Sequence, residues 1–418
     1  MSDGGGGHGW YEKVFEPSRP KRPTLGAIIS ILENDPRIAG TFALNERVGA
    51  VVFASDPLWR PGAFQKRITD DDVTRCVQWL EENFKVPFGW DLVFKAISAV
   101  AARAAFDPVR VYLESLMWDG KKRIHEWLHL ALGAEQSPWT QAVGRAWLIS
   151  AVARAMNPGC KADHVLVLEG PQGLGKSTAL QILAGDWFTD DVPDLHSKDA
   201  SLQAGSAWIV ELAELAATRR SDQESIKAFL TRTVDRYRPS YGRHVVERPR
   251  RQVFAASTNS TAWLHDETGG RRFWPVAVGA AKKTRLDLLQ NYRDQLWAES
   301  VVAFRNGEPW HLTDKDILTS AQEQQEQRRV DDPWLDIVAR FLDGRTQTTI
   351  TDIFQKLELD TARATRGDAM RVGNLLQALG WQRKRVRTGD QRQYVYEPVP
   401  VPTSRVSPPV SPPVSPPE

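Results

Sequence analysis

One stretch of eight residues, Gly170-Pro-Gln-Gly-Leu-Gly-Lys-Ser177, limits what this chain can fold into more than any other part of it. It follows the apolar run His164–Leu168, which is typical of a strand buried on both faces of a parallel sheet, and it precedes the helical pattern Ser177–Leu183. A strand, a glycine-rich turn and a helix in this order form a phosphate-binding loop, because the glycines let backbone N–H groups point inward. A chance glycine-rich turn would lack these two flanking elements. The stretch therefore predicts an α/β nucleotide-binding core.

Each part of this loop has a predicted role in phosphate chemistry. Lys176 is expected to reach the β- and γ-phosphates of ATP, and Ser177 is expected to place its hydroxyl on Mg²⁺. The residues predicted to bind the nucleotide are Gly170, Pro171, Gln172, Gly173, Leu174, Gly175, Lys176, Ser177 and Thr178.

Carboxylate and amide side chains follow the next buried strands of the predicted core. Ala207–Val210 is followed by Glu211, with Glu214 one turn later, and Gln252–Ala256 runs towards Asn259. The carboxyl ends of parallel strands line ligand sites. Glu211 is therefore predicted to hold Mg²⁺ or orient the attacking water, and Asn259 to contact the γ-phosphate. Glu214 either shares the role of Glu211 or forms a structural ion pair, and Asn259 could instead be an ordinary turn residue.

Two arginines, Arg271 and Arg272, stand between a glycine pair and the aromatic pair Phe273-Trp274. A guanidinium group in such a position can stabilise the charge on a transferred phosphoryl group, as an arginine finger does. Arginine pairs are also common on solvated surfaces. Their position inside the predicted core favours a catalytic role for one of the two.

The remaining sequence divides the chain into five predicted segments. A hairpin formed by Thr41–Leu44 and Val48–Phe53 opens a mostly helical region. Three helical patterns and a second hairpin after residue 330 have the order of a winged helix. The segments are a disordered lead (1–23), an N-terminal mostly helical domain (24–160), the phosphate-loop core (161–330), a winged-helix-like domain (331–397) and a disordered proline-rich tail (398–418).

Composition restricts the class of protein. The formal net charge is only +2, so a nucleic-acid role would depend on local basic patches. The two cysteines are far apart and are expected to be reduced thiols, which favours a cytoplasmic protein. The first residues lack the apolar segment of a secretory signal, and no stretch has the composition of a membrane span.

The candidate catalytic residues lie unusually close together in sequence. Lys176, Glu211, Asn259 and Arg272 span fewer than one hundred residues. This compact order resembles the superfamily 3 helicases of viruses and plasmids, and the chain resembles more closely the virulence-associated E family of phage and prophage proteins. The likeness covers about residues 30–310 and is carried by Trp118-Asp119-Gly120, Asn157-Pro158-Gly159-Cys160-Lys161, Glu169-Gly170-Pro171-Gln172-Gly173, Trp208-Ile209-Val210-Glu211-Leu212-Ala213-Glu214 and Asp266-Glu267-Thr268-Gly269-Gly270-Arg271-Arg272-Phe273-Trp274.

The resemblance implies a ring-forming DNA helicase, expected to be a hexamer, with a core of the AAA+ type and with ATP bound between subunits. It implies a role in mobile-element replication in a bacterial host cell. Superfamily 3 proteins usually have two adjacent acidic residues at the second motif, whereas Glu211 is followed by Leu212, so the choice between Glu211 and Glu214 stays open. Larger relatives often carry an upstream primase-polymerase module. Residues 1–23 are too short for one, so priming is not expected and a primase or polymerase is a candidate partner.

Basic residues alternate with tyrosines between Glu211 and Asn259. Charge for phosphates and aromatic faces for bases suit single-stranded DNA. Six arginines lie between Arg236 and Arg251, and they could alternatively bind a neighbour's γ-phosphate or pair with acids across a subunit interface. Lys227 resembles a motif lysine of this region. The predicted contacts are Lys227, Arg238, Tyr241, Arg243 and His244.

The winged-helix candidate is also basic. Residues 361–392 contain seven Arg and one Lys against two Asp. Arg383, Arg385 and Arg387 of its hairpin are predicted to contact phosphates of duplex DNA. The alternative is a winged helix that docks onto a protein, because few polar groups suited to reading bases are evident.

Two functions from different classes fit the sequence. The first is a helicase that threads single-stranded DNA through a ring. The second is an ATP-gated DNA-binding switch that melts an origin or acts in regulation or anti-phage defence, without processive unwinding. A small-molecule kinase is a third option, but such an enzyme is expected to be a monomer and would not require the basic segments.

Overall fold

The computed structural model describes residues 23–191, 203–212, 226–237, 245–264, 270–328, 334–361, 363–388 and 391–399. By its internal contacts the chain divides into two compact units, Met1–Arg329 and Val330–Glu418. Among the helices in the described ranges, none combines the length and the apolar character that a bilayer crossing requires.

The N-terminal part of the first unit packs three helices against a small sheet. Its elements are α1 (Leu25–Asn34), β1 (Phe42–Asn45), β2 (Ala50–Phe53), α2 (Asp70–Phe84), α3 (Trp90–Arg103) and β3 (Ala105–Phe106). β1 pairs antiparallel with β2, so the predicted hairpin is confirmed, and it pairs parallel with β3. At the start of α2, Thr69 and Asp72 form a capping box that satisfies two backbone N–H groups.

Three more helices lead to the central sheet: α4 (Pro108–Ser115), α5 (Trp127–Leu132) and α6 (Pro138–Met156). α6 starts at Ser137, whose side chain accepts from the backbone N–H of Thr140, and Pro138 occupies the first turn, where no N–H is required. α6 is buried on most sides because it packs on the sheet and on neighbouring helices.

A five-stranded parallel sheet forms the centre of the first unit. The strands of this part are β4 (Val165–Glu169), β5 (Phe188–Thr189), β6 (Ile209–Leu212), β7 (Val234–Tyr237), β8 (Val246–Pro249), β9 (Val253–Thr258) and β10 (Phe273–Ala277). The sheet has the order β10-β4-β9-β6-β5, and β7 and β8 pair separately as an antiparallel hairpin. Alternate residues of β4 enter two different clusters of buried side chains, which explains the unbroken apolar run in the sequence. The predicted α/β fold with a parallel sheet is confirmed.

Helices cover both faces of this sheet. One face packs with α6, α7 (Lys176–Ala184), α8 (Leu286–Arg305) and α9 (Lys315–Glu326). The other face packs with a short helical segment at residues 226–230.

Several buried tryptophans fix these helices to one another and to the sheet. The indole N–H of Trp147 donates to the carbonyl of Phe254 at 2.9 Å, and that of Trp208 donates to Ala151 at 3.0 Å. Trp297 likewise donates to a main-chain carbonyl, at the end of α7. These three tryptophans therefore serve packing, and each of their indole N–H groups also satisfies a main-chain carbonyl.

The second strand of the predicted core lies two residues later than expected. The sequence predicted Ala207–Val210, whereas β6 covers Ile209–Leu212. The reason is local, because the backbone N–H of Ala207 closes the preceding helical turn on Ala204 at 3.3 Å. Glu211 therefore lies inside the strand, and its position opposite Ala255 of β9 is fixed by the sheet register.

The second unit contains three helices followed by a hairpin, in the predicted order. These elements are α10 (Leu335–Leu342), α11 (Ile350–Lys356), α12 (Arg366–Ala378), β11 (Trp381–Thr388) and β12 (Gln391–Pro398). Capping boxes start α11 at Thr349 and α12 at Thr365. The three helices and the hairpin share one apolar cluster.

Candidate active site

The loop between β4 and α7 depends on glycine at three positions. Gly170, Gly173 and Gly175 have φ values of 142°, 85° and 76°, a range that L side chains rarely adopt. A Cβ on Gly175 would lie 2.6 Å from Cδ1 of Leu286, and one on Gly170 would lie 3.0 Å from the carbonyl oxygen of Val278. The backbone can therefore turn tightly at the N-terminus of α7 only with glycine at these positions.

Lys176, the first residue of α7, points back into this loop. Its Nζ donates to the carbonyl oxygens of Gly170 at 2.6 Å and Pro171 at 3.0 Å, and to Oδ1 of Asn259 at 3.0 Å. The residue is 7% exposed, and burial lowers the pKa of its ammonium group, an effect that the nearby charge of Glu211 opposes. The structure thus brings Lys176 and Asn259 together, although they are 83 positions apart in sequence.

Ser177 and Glu211 form the second contact of the site. The Ser177 hydroxyl donates to Oε1 of Glu211 at 2.8 Å. Glu211 is 1% exposed, and its Oε2 has no hydrogen-bond partner among the described residues. A buried carboxylate with an unused oxygen, adjacent to a hydroxyl, fits Mg²⁺, which takes one or two protein oxygens together with substrate phosphates. Glu214 lies outside the described residues.

Glu169, the last residue of β4, has a role that the sequence analysis did not identify. Its Oε1 accepts a hydrogen bond from the indole N–H of Trp263 at 2.7 Å and another from Nε of Arg328 at 2.5 Å. One signal was available: a carboxylate at the end of a fully buried strand requires a partner. The identity of the partner could not be found, because Arg328 is 159 residues away.

Arg271 and Arg272 do not join this site within one chain. They lie in a 3₁₀ turn directly before β10, which runs parallel to β4 with their first residues paired. The loop carrying Lys176 follows the last residue of β4, so the arginines are at the opposite edge of the sheet, about 16 Å away at 3.3 Å per residue. Arg271 is exposed, and Nε of Arg272 lies 3.5 Å from the carboxylate of Asp163.

Two arginines of the basic stretch around the β7–β8 hairpin form ion pairs with acids of the same chain. Arg250 is fully buried and binds the carboxylate of Asp235 through two hydrogen bonds of 2.9 and 2.7 Å. Arg251 bonds to Glu46 at 2.9 Å and to Asp107 at 3.0 Å. Of the alternatives predicted for this stretch, which were DNA, a neighbour's γ-phosphate and acids across a subunit interface, none describes the partners of these two arginines. They pair with acids of the same chain, and a count of charges along the sequence cannot show such partners.

Four of the predicted DNA contacts, Arg238, Tyr241, Arg243 and His244, lie outside the described residues. Lys227 lies in the short helical segment 226–230 and is partly exposed.

The hairpin of the second unit presents basic and aromatic side chains together. Arg383 and Arg385 are exposed, and their guanidinium groups lie 3.7 Å and 5.9 Å from the ring centre of Tyr394. Arg387 lies on the same strand opposite Arg392, and its side chain is outside the described part of the chain. A stacked arginine remains able to contact a phosphate at its edge.

Comparison with known proteins gives one family. Residues 113–330 match the virulence-associated protein E-like domain. Similar solved structures include the apo structure of the NrS-1 C terminal region (305-718), which is 13% identical with a TM-score of 0.43, and an A form of the same region, which is 11% identical with a TM-score of 0.39. Each comparison covers 69% of this chain and 78% of the other. No curated protein matches the chain.

Proposed function

The chain belongs to the virulence-associated protein E-like family, and from that premise we propose that it is an ATP-dependent DNA helicase of the superfamily 3 type. One observation carries the proposal: polar side chains from α7 and from two neighbouring strand regions meet at one edge of a parallel sheet. They are Lys176, Ser177, Glu211 and Asn259. On this proposal the first unit is a phosphate-loop ATPase of the AAA+ type, and the second is a winged-helix-like DNA-binding domain.

Lys176 is suited to bind the terminal phosphates of ATP. Its three ammonium hydrogens are donated to two carbonyl oxygens and to Asn259. Phosphate oxygens carry charge and are stronger acceptors than carbonyls. ATP binding would therefore exchange these partners for β- and γ-phosphate oxygens, and Asn259 would become free to contact the γ-phosphate or the attacking water.

Glu211 is suited to the hydrolytic step. Its Oε1 is held by Ser177, and its buried Oε2 is available as an acceptor. Ser177 and Glu211 would hold Mg²⁺, which would neutralise the negative charge that develops on the phosphate groups during hydrolysis. The carboxylate of Glu211 would also orient a water molecule for attack in line with the scissile bond. Glu214 remains the second candidate for that role.

The position of the arginine pair supports assembly into a ring. Because Arg271 and Arg272 lie at the opposite edge of the sheet from Lys176, a finger role requires that they reach the loop of a neighbouring subunit. A head-to-tail contact places two different edges together, and repeated contacts of this kind close into a ring. A hexamer is the proposed assembly.

The DNA contacts are proposed at two places. The buried Arg250–Asp235 pair anchors the β7–β8 hairpin. A hairpin that is rigidly anchored at its base is suited to move single-stranded DNA. Arg383 and Arg385, whose guanidinium groups both lie near the ring of Tyr394, would contact duplex phosphates. Such a protein would act in the bacterial cytoplasm during replication of a mobile element, with a primase or polymerase as a candidate partner.

A forked duplex with one labelled strand tests the proposal. The wild-type protein should displace the strand with ATP and Mg²⁺, and Lys176→Ala should bind the fork without displacing it. Hydrolysis and DNA binding without displacement would instead identify an ATP-gated DNA-binding switch. A strict monomer whose ATP turnover ignores DNA would favour a small-molecule kinase.

Subunit mixing tests the arginine pair separately. The Arg272→Ala subunit keeps an intact phosphate loop, and the Lys176→Ala subunit keeps an intact Arg272. If Arg272 acts in trans, mixing the two inactive variants should restore turnover at roughly one interface in four in a randomly mixed ring. The same experiment with Arg271→Ala assigns the finger between the two.

A further inference from the structure

An ion pair lies at the base of the phosphate loop, at a glutamate to which the proposed mechanism gives no role. The carboxylate of Glu169, 4% exposed, accepts from Nε of Arg328, 11% exposed, at 2.5 Å. The backbone N–H of the next residue, Gly170, donates to the carbonyl of Thr258 at 3.1 Å. The loop therefore begins at a point fixed by both a side chain and a neighbouring strand.

Arg328 also holds the segment that follows Asn259. Its carbonyl oxygen accepts from the backbone N–H groups of Trp263 and Leu264, both at 3.0 Å. Trp263 in turn donates its indole N–H to Glu169. The guanidinium group of Arg328 is itself oriented by the carbonyl and the side-chain oxygen of Gln324, at 2.7 and 2.8 Å.

Two series of contacts connect Arg328 to one atom, Nζ of Lys176. In the first, Arg328 binds Glu169, and the carbonyl of the next residue, Gly170, accepts from Nζ. In the second, Arg328 holds the segment at Trp263, which leads back along the chain to Asn259, and Oδ1 of Asn259 accepts from the same Nζ. A shift of Arg328 would displace two of the three oxygens around that ammonium group.

We propose that Arg328 is a positioning residue for the phosphate loop. It sets the distance between the start of the loop and the segment carrying Asn259, and through them the place of Lys176. The proposal rests on the proposed ATP hydrolysis, because positioning has a catalytic consequence only if phosphates bind there. The position of the loop can, however, be measured without nucleotide.

Charge and geometry together explain why an arginine occupies this position. A buried carboxylate at the end of β4 needs a cation, and a planar guanidinium group can donate to Glu169 and Gln324 in different directions at once. Lysine would supply the charge but not the fixed directions. Glutamine would supply neither the charge nor the reach.

The test uses the full chain with Arg328→Gln and Arg328→Lys. Arg145→Gln is the matched control, because Arg145 is similarly buried and pairs with Glu308 away from the loop. Amide hydrogen exchange of residues 170–176 and 258–264 is measured without nucleotide, and kcat and KM for ATP are measured at saturating DNA.

In Arg328→Gln, exchange should accelerate in both segments, and kcat should fall on the order of 100-fold, because misplacement by about 1 Å costs that much in a positioned site. KM should change by less than about tenfold, since the other loop contacts remain. Arg328→Lys should recover part of kcat, and Arg145→Gln should leave kcat and both segments unchanged.

Two outcomes would overturn the proposal. One is Arg328→Gln with a lower melting temperature but unchanged exchange in both segments. The other is a kcat, per folded molecule, equal to that of Arg145→Gln. If the wild-type protein turns over no ATP, the proposed function fails, and the exchange data still decide whether Arg328 positions the loop.

Discussion

The buried ion pair at the base of the β7–β8 hairpin gives the sharpest stability prediction. Arg250 and Asp235 have side-chain exposures of 0% and 4%, and two parallel hydrogen bonds join them. The third guanidinium nitrogen donates to the carbonyl of Phe229 at 2.5 Å, and the group lies 4.2 Å from the ring centre of that residue. Each of the three guanidinium nitrogens of Arg250 thus donates to a group inside the protein.

Arg250→Met keeps an unbranched apolar stem and removes the charge. The carboxylate of Asp235 is then left buried without its cation, which costs about 3–5 kcal/mol of unfolding free energy. Arg250→Met/Asp235→Leu removes both charges and should recover most of this loss, to within about 2 kcal/mol of wild type, because apolar replacement of a buried pair is often neutral.

Urea unfolding followed by tryptophan fluorescence measures these differences, with the transition of the first unit analysed alone because a two-unit chain need not unfold in one step. Arg236→Met is the control on the same hairpin. Arg236 is 71% exposed and pairs with Glu247, so its loss should cost less than about 1 kcal/mol. If Arg250→Met costs no more than that control, or if the double variant is as unstable as the single one, the buried pair does not have the predicted effect on stability.

Three further predictions concern the loop. Glu211→Gln should still bind a fluorescent ATP analogue but release phosphate about 100-fold more slowly, because the charge that holds Mg²⁺ and orients water is lost; equal turnover would exclude Glu211. Gly175→Ala should weaken analogue binding more than Gly173→Ala, since both have positive φ but only the former meets Leu286, and equal losses would show that backbone strain alone decides. Because burial lowers the pKa of Lys176 below that of an exposed lysine, and the charged form binds phosphate, affinity should fall with rising pH sooner than an exposed lysine would allow. Lys176→Arg should remove this fall, and a flat profile in wild type would contradict it.

The parts of the fold that depend on residues close together in sequence were predictable from the sequence. The strand, loop and α7 around Gly170–Ser177 follow from an apolar run, glycines and a helical pattern within about twenty residues. The β1–β2 hairpin and the order of helices and hairpin after residue 334 follow from similar local signals. The boundary of β6 did not, because Ala207 is apolar enough for a strand and yet closes a helical turn.

The candidate site was predictable as a set of residues but not as a set of contacts. The order of Lys176, Glu211 and Asn259 along the chain indicated one sheet edge, and the structure places Asn259 3.0 Å from Lys176. The partner of Glu169 was hidden because no local pattern joins it to Arg328, which lies 159 positions later. The buried state of Arg250 was hidden for a similar reason, since local charge does not tell a solvated arginine from a paired one.

Phosphate release from ATP is the direct assay of the proposed hydrolysis. The wild-type protein is compared with Lys176→Ala and with Lys122→Ala, a control on an exposed lysine outside the loop, in the presence of Mg²⁺ and with or without single-stranded DNA. Turnover should be stimulated by DNA and retained in Lys122→Ala. Lys176→Ala should abolish turnover while its melting temperature stays near that of wild type. Equal turnover in Lys176→Ala and wild type would contradict the proposed hydrolysis at this loop.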